Sequence, residues 1–420
     1  MENLSVSAAD WFLRPATQAV FASLNGEGFE TRAVGGAVRN ALLGSGPVSE
    51  VDFATTALPD EVMRLAADAG IKTYPSGIEH GTVTLVVDGN PFEVTTLRRD
   101  VSTDGRHAVV AFGNDWALDA RRRDLTINAL YADINGRVHD PLGSLDDLRA
   151  GRVRFIGDPH ERIREDYLRI LRFFRFSAGY AVGEFDREGI KAAVQERLGL
   201  LQLSRERIRM ELLRILVTRR ASEAIEIMDE SGLLLLLLGG VSRRARFDQL
   251  CRIEEALNLV PDPIFRLGSL CLFVEEDAAR ITERLRLSSR EASDLESLSA
   301  LGPRITAHLE RQALEECLYR IGPRLYLGRL LLTWAGSRDS PEDPHWRSAL
   351  ELARHRQRPL FPVGGADLIA LGWEPSPGLG AALKKLEGLW VEGGFAASKE
   401  ELLNIAASWQ NSKAITNHGE

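Results

Sequence analysis

The sequence has few cysteines, no long apolar run and no excess of positive charge. Its only cysteines are Cys251, Cys271 and Cys317, which have neither the CxxC spacing of a zinc site nor the density of a disulfide framework. The longest purely aliphatic run, Leu233–Leu238, is far shorter than the ~20 residues that a helix needs to cross a bilayer. These absences predict reduced core cysteines and no membrane partner.

The amino terminus and the composition exclude two further classes of protein. The stretch "MENLSVSAADWFLRPA" lacks the basic segment and following apolar segment of a secretory signal, which predicts a cytoplasmic location. With 44% apolar and 27% charged residues, the chain is not disordered and can form more than one domain, about three by the usual domain size. Because the net charge is −8, any nucleic-acid partner must be bound by a local basic groove.

Strand-like and helix-like segments are unevenly distributed along the chain. As far as about Gly151, strand-like runs such as "GTVTLVVDG" alternate with helical stretches such as "PDEVMRLAADAG". From about Asp158 onward, apolar residues recur at three- and four-residue spacing and strand-like segments nearly vanish. The pattern predicts an α+β protein with an α/β region first, helical regions after it, and a short disordered tail, "NSKAITNHGE".

Two acidic residues share one face of a predicted strand, "VSEVDFATT". Because side chains alternate along a strand, Glu50 and Asp52 project on one side, while Val51 and Phe53 project on the other. Two adjacent carboxylates repel one another unless water or a cation lies between them. The pair marks either a solvated acidic edge or a metal site, and taken alone the solvated edge is the commoner structure.

A glycine pair shortly before these acids favours the metal site. Gly35 and Gly36 end an apolar run and open a helix, so backbone N–H groups can approach an anion, and Arg39 lies one turn further on. Mg²⁺ binds carboxylate oxygens and usually shares its remaining positions with substrate phosphates. The combination favours a phosphoryl-transfer site in which metal ions bridge the protein and a triphosphate. Glu93, on a later strand, is either a third acid for this site, as a base or a metal ligand, or a partly exposed strand residue.

The motif "RRRDLTINAL" places arginines beside an acid. Guanidinium groups of Arg122 and Arg123 suit phosphates, and the carboxylate of Asp124 suits sugar hydroxyls. A charge run of this kind is more often a solvated helix start. A second basic segment, "LSRERIRMELLRILVTRR", either follows a nucleic-acid backbone or is one structural helix among many.

The segment "ERIREDYLRILRFFRF" carries the most informative pair. On a helix, Asp166 and Arg169 are neighbours on one face, with Arg162, Arg172 and Arg175 nearby. A carboxylate beside a guanidinium offers an acceptor next to a donor, which complements the base edges of cytosine and adenine and conflicts with those of guanine and uracil. The alternative is a surface ion pair that contributes little to stability.

Taken together, the ordered motifs resemble the class II tRNA nucleotidyltransferases, which are the CCA-adding enzymes and their bacterial poly(A) polymerase relatives. The resemblance covers most of the first 220 residues and extends more weakly to later helical segments. It implies a polymerase beta-like nucleotidyltransferase head over 1–150, a helical neck over 151–240, a body over 241–350 and a tail over 351–420. It also implies CTP and ATP as substrates, the 3′ end of tRNA as acceptor and a site for two Mg²⁺ ions.

The resemblance assigns roles to individual residues. The metal-binding acids are Glu50 and Asp52, and Glu93 is a further catalytic acid. The implied nucleotide-binding residues are Gly35, Gly36, Arg39, Arg122, Arg123, Asp124, Asn128, Glu165, Asp166, Arg169, Arg172 and Arg175. Within that set, Glu165, Asp166 and Arg169 match the amino-acid template that reads the incoming base. The candidate RNA-binding residues are Arg205, Arg209, Arg219 and Arg220.

Two positions depart from the family pattern, since Glu50 and Asn40 stand where Asp is common. The stretch "RRDVSTDGRHAVVAF" resembles the flexible loop of members that add the terminal A, which favours full CCA addition. A poly(A) polymerase or A-adding enzyme is the first alternative. A tRNA-binding protein with weak catalysis, suggested by Glu50, is the second. The sequence leaves the oligomeric state open.

The template assignment makes a first testable prediction. Replacing Asp166 or Arg169 by Ala should weaken selection of C and A over G and U before it weakens triphosphate binding, because only the base edge loses its partners. Incorporation of each of the nucleotides measures this selection. Unchanged selectivity in both variants would contradict the assignment.

Overall fold

The computed structural model describes residues 4–104, 107–300, 305–355 and 358–416. The chain divides into two compact units, which are Met1–Val241 with Arg284–Arg286, and Ser242–Glu283 with Leu287–Glu420. The first unit contains the predicted head and neck, and its main segment ends beside the predicted boundary at 240. The finer division into four regions stays a prediction.

A mixed sheet forms the centre of the first unit. The strands in the described residues are β1 Thr31–Val34, β2 Asp52–Thr55, β3 Lys72–Gly77, β4 Thr82–Val87, β5 Asn90–Thr96, β6 Arg98–Asp104, β7 His107–Phe112, β8 Tyr131–Ala132 and β9 Val138–His139. Seven of them pair in the order β3-β4-β5-β2-β1-β8-β9, while β6 and β7 pair separately. The neighbours β2 and β5 run parallel, and the other pairs run antiparallel.

The hairpin of β6 and β7 corresponds to the predicted flexible loop. Its two central residues, 105 and 106, lie outside the described residues.

Helices surround the sheet and make up the remainder of the first unit. They are α1 Asp10–Leu13, α2 Pro15–Leu24, α3 Gly36–Leu43, α4 Pro59–Asp68, α5 Trp116–Arg121, α6 Leu145–Arg149, α7 Pro159–Glu165, α8 Leu168–Tyr180, α9 Arg187–Gln195, α10 Arg205–Leu216, α11 Ala221–Glu230 and α12 Leu233–Leu238. The apolar sheet face packs on α2, where the rings of Phe21 and Phe53 meet edge to face at 5.0 Å. The prediction of an α+β protein is confirmed.

The predicted strand "VSEVDFATT" is shorter than expected. β2 begins at Asp52, which pairs with Val34, the last residue of β1. Because β1 gives way to the glycine turn at this point, the residues before Asp52 have no strand to pair with on that side. Glu50 therefore lies in a segment without regular secondary structure that precedes the strand.

The helix predicted for "ERIREDYLRILRFFRF", residues 161–176, is interrupted between α7 and α8. Asp166 has an extended backbone, with φ −154° and ψ 107°. Its Oδ1 accepts a hydrogen bond from the backbone N–H of Leu168 at 3.1 Å, and its carbonyl accepts one from the N–H of Arg169 at 2.9 Å. Short acidic side chains favour such caps over the helix interior. Asp166 lies between the two helices and Arg169 lies on α8. The expectation that both residues lie on one face of a single helix is therefore wrong.

The second unit is helical throughout the residues that the structure describes. Its helices are α13 Arg244–Ala256, α14 Pro263–Cys271, α15 Asp277–Leu285, α16 Ser289–Ser299, α17 Arg311–Ser337, α18 Pro344–His355, α19 Gly365–Ala370, α20 Pro377–Glu392 and α21 Lys399–Thr416. α17 is kinked at Gly322, where φ is 76° and Pro323 follows. α21 includes the first residues of the predicted disordered tail, and 417–420 lie outside the described residues. In the described part of the chain, no helix is long and apolar enough to span a membrane.

A buried ion pair joins α13 to α14. The Nε of Arg266 lies 2.7 Å from Oε2 of Glu254, and the two side chains are only 7% and 2% exposed. Burial raises the pKa of Glu254, although the guanidinium opposes this change. The carboxylate of Glu254 therefore depends on the guanidinium of Arg266 to remain ionised inside the unit.

Removing one partner of this pair should strongly destabilise the second unit. We expect Arg266→Ala to lower the free energy of unfolding by about 3–5 kcal/mol, because it leaves a buried carboxylate without its guanidinium. Urea denaturation measures the change. The matched control is Arg320→Ala, which removes an exposed pair with Glu316 and should cost less than about 1 kcal/mol. Equal effects of the two variants would contradict the prediction.

Candidate active site

Two carboxylates lie side by side on the exposed face of the sheet. Phe53 of β2 is in register with Val94 of β5, and both side chains are buried, at 1% and 0% exposure. Asp52 and Glu93 each precede one of these residues by one position, so they project to the opposite, exposed face. Glu50, two residues before Asp52, is also exposed. The structure thus brings the three predicted acids to one region of the head.

The electrostatics of Asp52 reflect this crowding of negative charge. Partial desolvation and the neighbouring carboxylates of Glu93 and Glu50 raise the pKa of Asp52 to about 6, against the opposing effect of Arg123. No three His, Cys, Asp or Glu side chains form a metal-binding group within the described residues. Mg²⁺ commonly uses one or two carboxylates, with water and phosphate oxygens completing its coordination. The oxygen donors, and negative charge that Arg123 offsets only in part, fit such an ion.

The predicted glycine turn lies directly beside Asp52. Because Val34 pairs with Asp52, the next residue, Gly35, turns away at the edge of the acidic region. Gly35 has φ 75°, a conformation that disfavours any side chain, and it precedes the helix α3. The N-terminus of α3, beginning at Gly36, is therefore held next to the acids, where its N–H groups can bind an anion.

Arg39 of α3 points into the protein. Its NH1 donates to Oδ1 of Asn128 at 2.5 Å and its NH2 donates to the hydroxyl of Tyr180 at 2.7 Å. The guanidinium carbon lies 4.0 Å from the centroid of the Tyr180 ring, and the residue is 5% exposed. Asn40 accepts hydrogen bonds from Arg39 and from the Tyr180 hydroxyl. Arg39 thus ties the head to the end of α8, and its role at a triphosphate stays a prediction.

Asp124 is a second junction between head and neck. Its Oδ2 accepts from Nε of Arg172 at 2.6 Å, and its Oδ1 accepts from Nδ2 of Asn128 at 3.1 Å and from the N–H of Leu125 at 2.9 Å. Burial alone would raise the pKa of Asp124, but Arg172 and these hydrogen bonds hold it below its ordinary value. The carboxylate is therefore ionised and fully engaged.

Arg175, one turn beyond Arg172 on α8, forms an ion pair with α10. Its Nε lies 3.0 Å from Oε2 of Glu211 on α10. Its guanidinium carbon also lies 4.5 Å from the centroid of the Phe176 ring. Contact of Arg172 and Arg175 with a nucleotide stays a prediction.

A buried acid that the sequence analysis missed orients Arg122 and Arg123. Asp119 of α5 is 0% exposed and accepts from Nε of Arg122 at 2.7 Å, NH2 of Arg123 at 3.1 Å and the hydroxyl of Tyr131 at 2.8 Å. Burial would raise its pKa, but Arg123 and Arg122 lower it below the ordinary value. Asp119 lies three and four residues before the arginines, and that helical spacing was the signal available in the sequence.

Within the predicted base template, Arg169 and Asp166 bond to different partners. NH1 of Arg169 donates to Oε2 of Glu165, and NH2 donates to the carbonyl of Arg122 at 3.2 Å. Oδ2 of Asp166 accepts from NH2 of Arg207 on α10 at 2.7 Å. Glu165 and Arg207 therefore orient the two groups that would meet a base. Arg207 was missed, because a partner 41 residues away leaves no local pattern.

The predicted RNA-binding arginines lie on α10 and in the turn between α10 and α11. Arg205 begins α10, and Arg209 donates to a backbone carbonyl. Arg219 and Arg220 both donate to the carbonyl of Ala181, at 3.1 and 3.0 Å. Contact of these residues with RNA stays a prediction.

Comparison with protein families places this architecture in a class. Residues 31–154 match the family described as "Poly A polymerase head domain", and residues 187–242 match "Probable RNA and SrmB- binding site of polymerase A". A crystal structure of the Bacillus stearothermophilus CCA-adding enzyme in complex with CTP aligns with a TM-score of 0.69 and 25% identity, covering 96% of this chain and 100% of that one. The fold and the acidic site define a nucleotidyltransferase.

Full-length relatives narrow the class to a family. The mitochondrial CCA tRNA nucleotidyltransferase 1 of Danio rerio is 34% identical, over 90% of this chain and 86% of its own. The CCA-adding enzyme of Streptococcus sanguinis is 32% identical, over 89% of this chain and 92% of its own. The chain belongs to the family of CCA tRNA nucleotidyltransferases, also called CCA-adding enzymes.

The junction at Asp124 should make stability depend on pH in a defined direction. Because the folded pKa lies below the ordinary one, the carboxylate stabilises the fold fully above the ordinary Asp pKa and loses this effect as the pH falls through the folded value. We expect Asp124→Asn to cost about 1.5–3 kcal/mol at neutral pH. The difference from wild type should shrink in acid, as measured by urea denaturation over a pH series.

A matched control for this prediction is Asp68→Asn on α4. The Asp68 side chain is 68% exposed, so the substitution should change stability little at any pH. A constant difference between Asp124→Asn and wild type down to strongly acid pH would contradict the assigned pKa direction.

Proposed function

We propose that this chain adds CMP, CMP and AMP, from CTP and ATP, to the 3′ end of tRNA. The observation that carries the proposal is the placing of Asp52 and Glu93 on one exposed face beside the Gly35 turn. Relatives that align over most of their length are named for CCA addition, and the aligned crystal structure contains CTP.

The residues of the head have separate tasks in this reaction. Glu50 and Asp52 would hold Mg²⁺, which when bound neutralises the negative charge that builds up on the phosphates. The N–H groups at the start of α3 bind and orient the triphosphate. Glu93 would accept the proton of the tRNA 3′-hydroxyl as that oxygen attacks the α-phosphorus and pyrophosphate leaves.

Choice of nucleotide is assigned to the neck. Asp166 presents an acceptor and Arg169 a donor to the Watson–Crick edge of the base, which suits C and A. Glu165 and Arg207 hold these two groups from behind, as their contacts with Arg169 and Asp166 indicate. The arginines of α10 and α11 are the proposed contacts with the RNA backbone.

Two further assignments are made at a coarser level. Poly(A) polymerase is the second candidate, because both family descriptions name that enzyme, and the identity of the full-length relatives favours CCA addition. The cytoplasm remains the expected location from the sequence, whereas the relative from Danio rerio is mitochondrial by name.

A direct assay separates these functions. Purified protein is given tRNA that lacks its 3′ CCA together with labelled CTP and ATP, and we expect addition of two C residues and one A. Long A tails on a generic RNA with ATP alone would instead support a poly(A) polymerase. Absence of any incorporation would refute both.

The acidic site makes its own prediction in the same assay. Asp52→Ala should reduce nucleotide addition by at least about a thousandfold, because the reaction loses a metal-binding carboxylate, while tRNA binding measured by gel shift stays largely unchanged. The control is Glu79→Ala, whose side chain is 77% exposed on the head and which should behave as wild type. Retained activity in Asp52→Ala would exclude the assigned site.

A further inference from the structure

Tyr167 lies in the turn between α7 and α8, directly after the two acids of the proposed template. Its ring packs against Gly199, which is buried in a short 3₁₀ helix, Arg197–Gln202. A Cβ atom at position 199 would lie 1.9 Å from Cδ1 and 2.0 Å from Cε1 of Tyr167. No side chain fits at Gly199 unless the tyrosine ring moves.

Space, rather than backbone conformation, requires glycine at this position. The φ angle of Gly199 lies outside the left-handed region, so the backbone there suits any residue. The glycine serves only to let an aromatic ring approach the main chain closely. The ring in turn is one residue away from Asp166, whose extended backbone interrupts the helix.

The segment around Gly199 contacts the template turn, which is the turn between α7 and α8, at three points. The N–H of Gly199 donates to the carbonyl of Glu196 at 3.0 Å. Oε1 of Glu196 lies 3.0 Å from Nδ1 of His160 and 2.5 Å from NH2 of Arg164, both on α7. Further along, Arg207 bonds the carboxylate of Asp166 at 2.7 Å. The stretch from 196 to 207 therefore supports the turn at its α7 side, at its ring and at its carboxylate.

We propose that Tyr167 and Gly199 form a positioning contact that sets the angle at which Asp166 and Arg169 meet the incoming base, and that this contact is a determinant of nucleotide selectivity. The inference rests on the proposed function, because it deepens the role of the same site. Neither residue is assigned contact with substrate. They act through the backbone that carries Glu165 and Asp166.

The physical reason is that selection by hydrogen bonds tolerates only small displacements of the donor and the acceptor. A donor and an acceptor discriminate between bases only when they are placed to within about 0.5 Å, and a 1 Å displacement costs up to about a hundredfold in rate. A clash of the size expected at Gly199 exceeds that tolerance. The proposed metal-binding acids, Glu50 and Asp52, and the glycine turn at Gly35 belong to other elements of the head. Triphosphate binding should therefore change less than base selection.

The test is Gly199→Ala, compared with wild type for addition of C, A, U and G to tRNA. We expect the preference for CTP over UTP, as a ratio of kcat/KM values, to fall at least about tenfold. Gly179→Ala on α8 is the matched control, because a Cβ there meets nothing within 4 Å, and its selectivity should equal that of wild type. Tyr167→Phe keeps the ring and should also keep the preference.

Two more variants keep the inference testable if Gly199→Ala does not fold. Tyr167→Ala removes the ring without a clash and should also lower the preference. The double variant should lose no more than the worse single variant, because both substitutions break the same contact. Additive losses in the logarithm of the preference would overturn the inference. Wild-type selectivity in Tyr167→Ala would also overturn the inference. An equal loss of kcat/KM with all nucleotides would do the same.

A binding readout separates this inference from the proposed function. The shift in melting temperature produced by CTP or UTP with Mg²⁺ is measured for the same variants, and requires no reaction. A wild-type protein that adds nothing to tRNA would refute the proposed function alone. An unchanged ratio of CTP to UTP affinity in both Gly199→Ala and Tyr167→Ala would refute the positioning contact.

Discussion

The rest of the site depends on the hydrogen bonds that the buried carboxylate of Asp124 accepts. It accepts hydrogen bonds from Arg172 on the neck helix and from Asn128 in the head, and Asn128 in turn receives the guanidinium of Arg39. Arg39 then bonds Tyr180 at the far end of the same neck helix. One continuous polar network therefore fixes α8 against the head at both ends. The template turn, which immediately precedes α8, takes its position from this junction.

Charge in the first unit is divided between structural and reactive groups. Asp119 and Asp124 are buried, and arginines hold the pKa of each below its ordinary value. Asp52 differs, because desolvation and its acidic neighbours raise its pKa to about 6. Acids with arginine partners build the frame, whereas Asp52 lies among acids whose charge Arg123 offsets only in part, which leaves net negative charge that suits a bound cation. This contrast separates the proposed metal site from the other acids of the head.

Patterns within single strands and helices predicted much of the site, but they did not predict the contacts between distant residues. Alternation along β5 predicted that Glu93 faces away from the core, and the glycine pair predicted the start of α3. The helix around Asp166 was predicted as continuous, because local periodicity does not register an acid that caps the next helix with its own side chain. Where Arg39 points was equally hidden, since its partner Tyr180 is 141 residues away.

The sequence by itself determined which faces of the strands and helices are apolar, and the order of the charged motifs along them. These features depend on spacing within a few residues, so they were sufficient for the fold class and for the family. Only the tertiary structure decided which distant charged groups pair, as Asp166 with Arg207 and Asp124 with Arg172, and which ring rests on Gly199. Hydrogen bonds and close packing act over a few ångströms in space. Chain folding alone brings distant residues within that range.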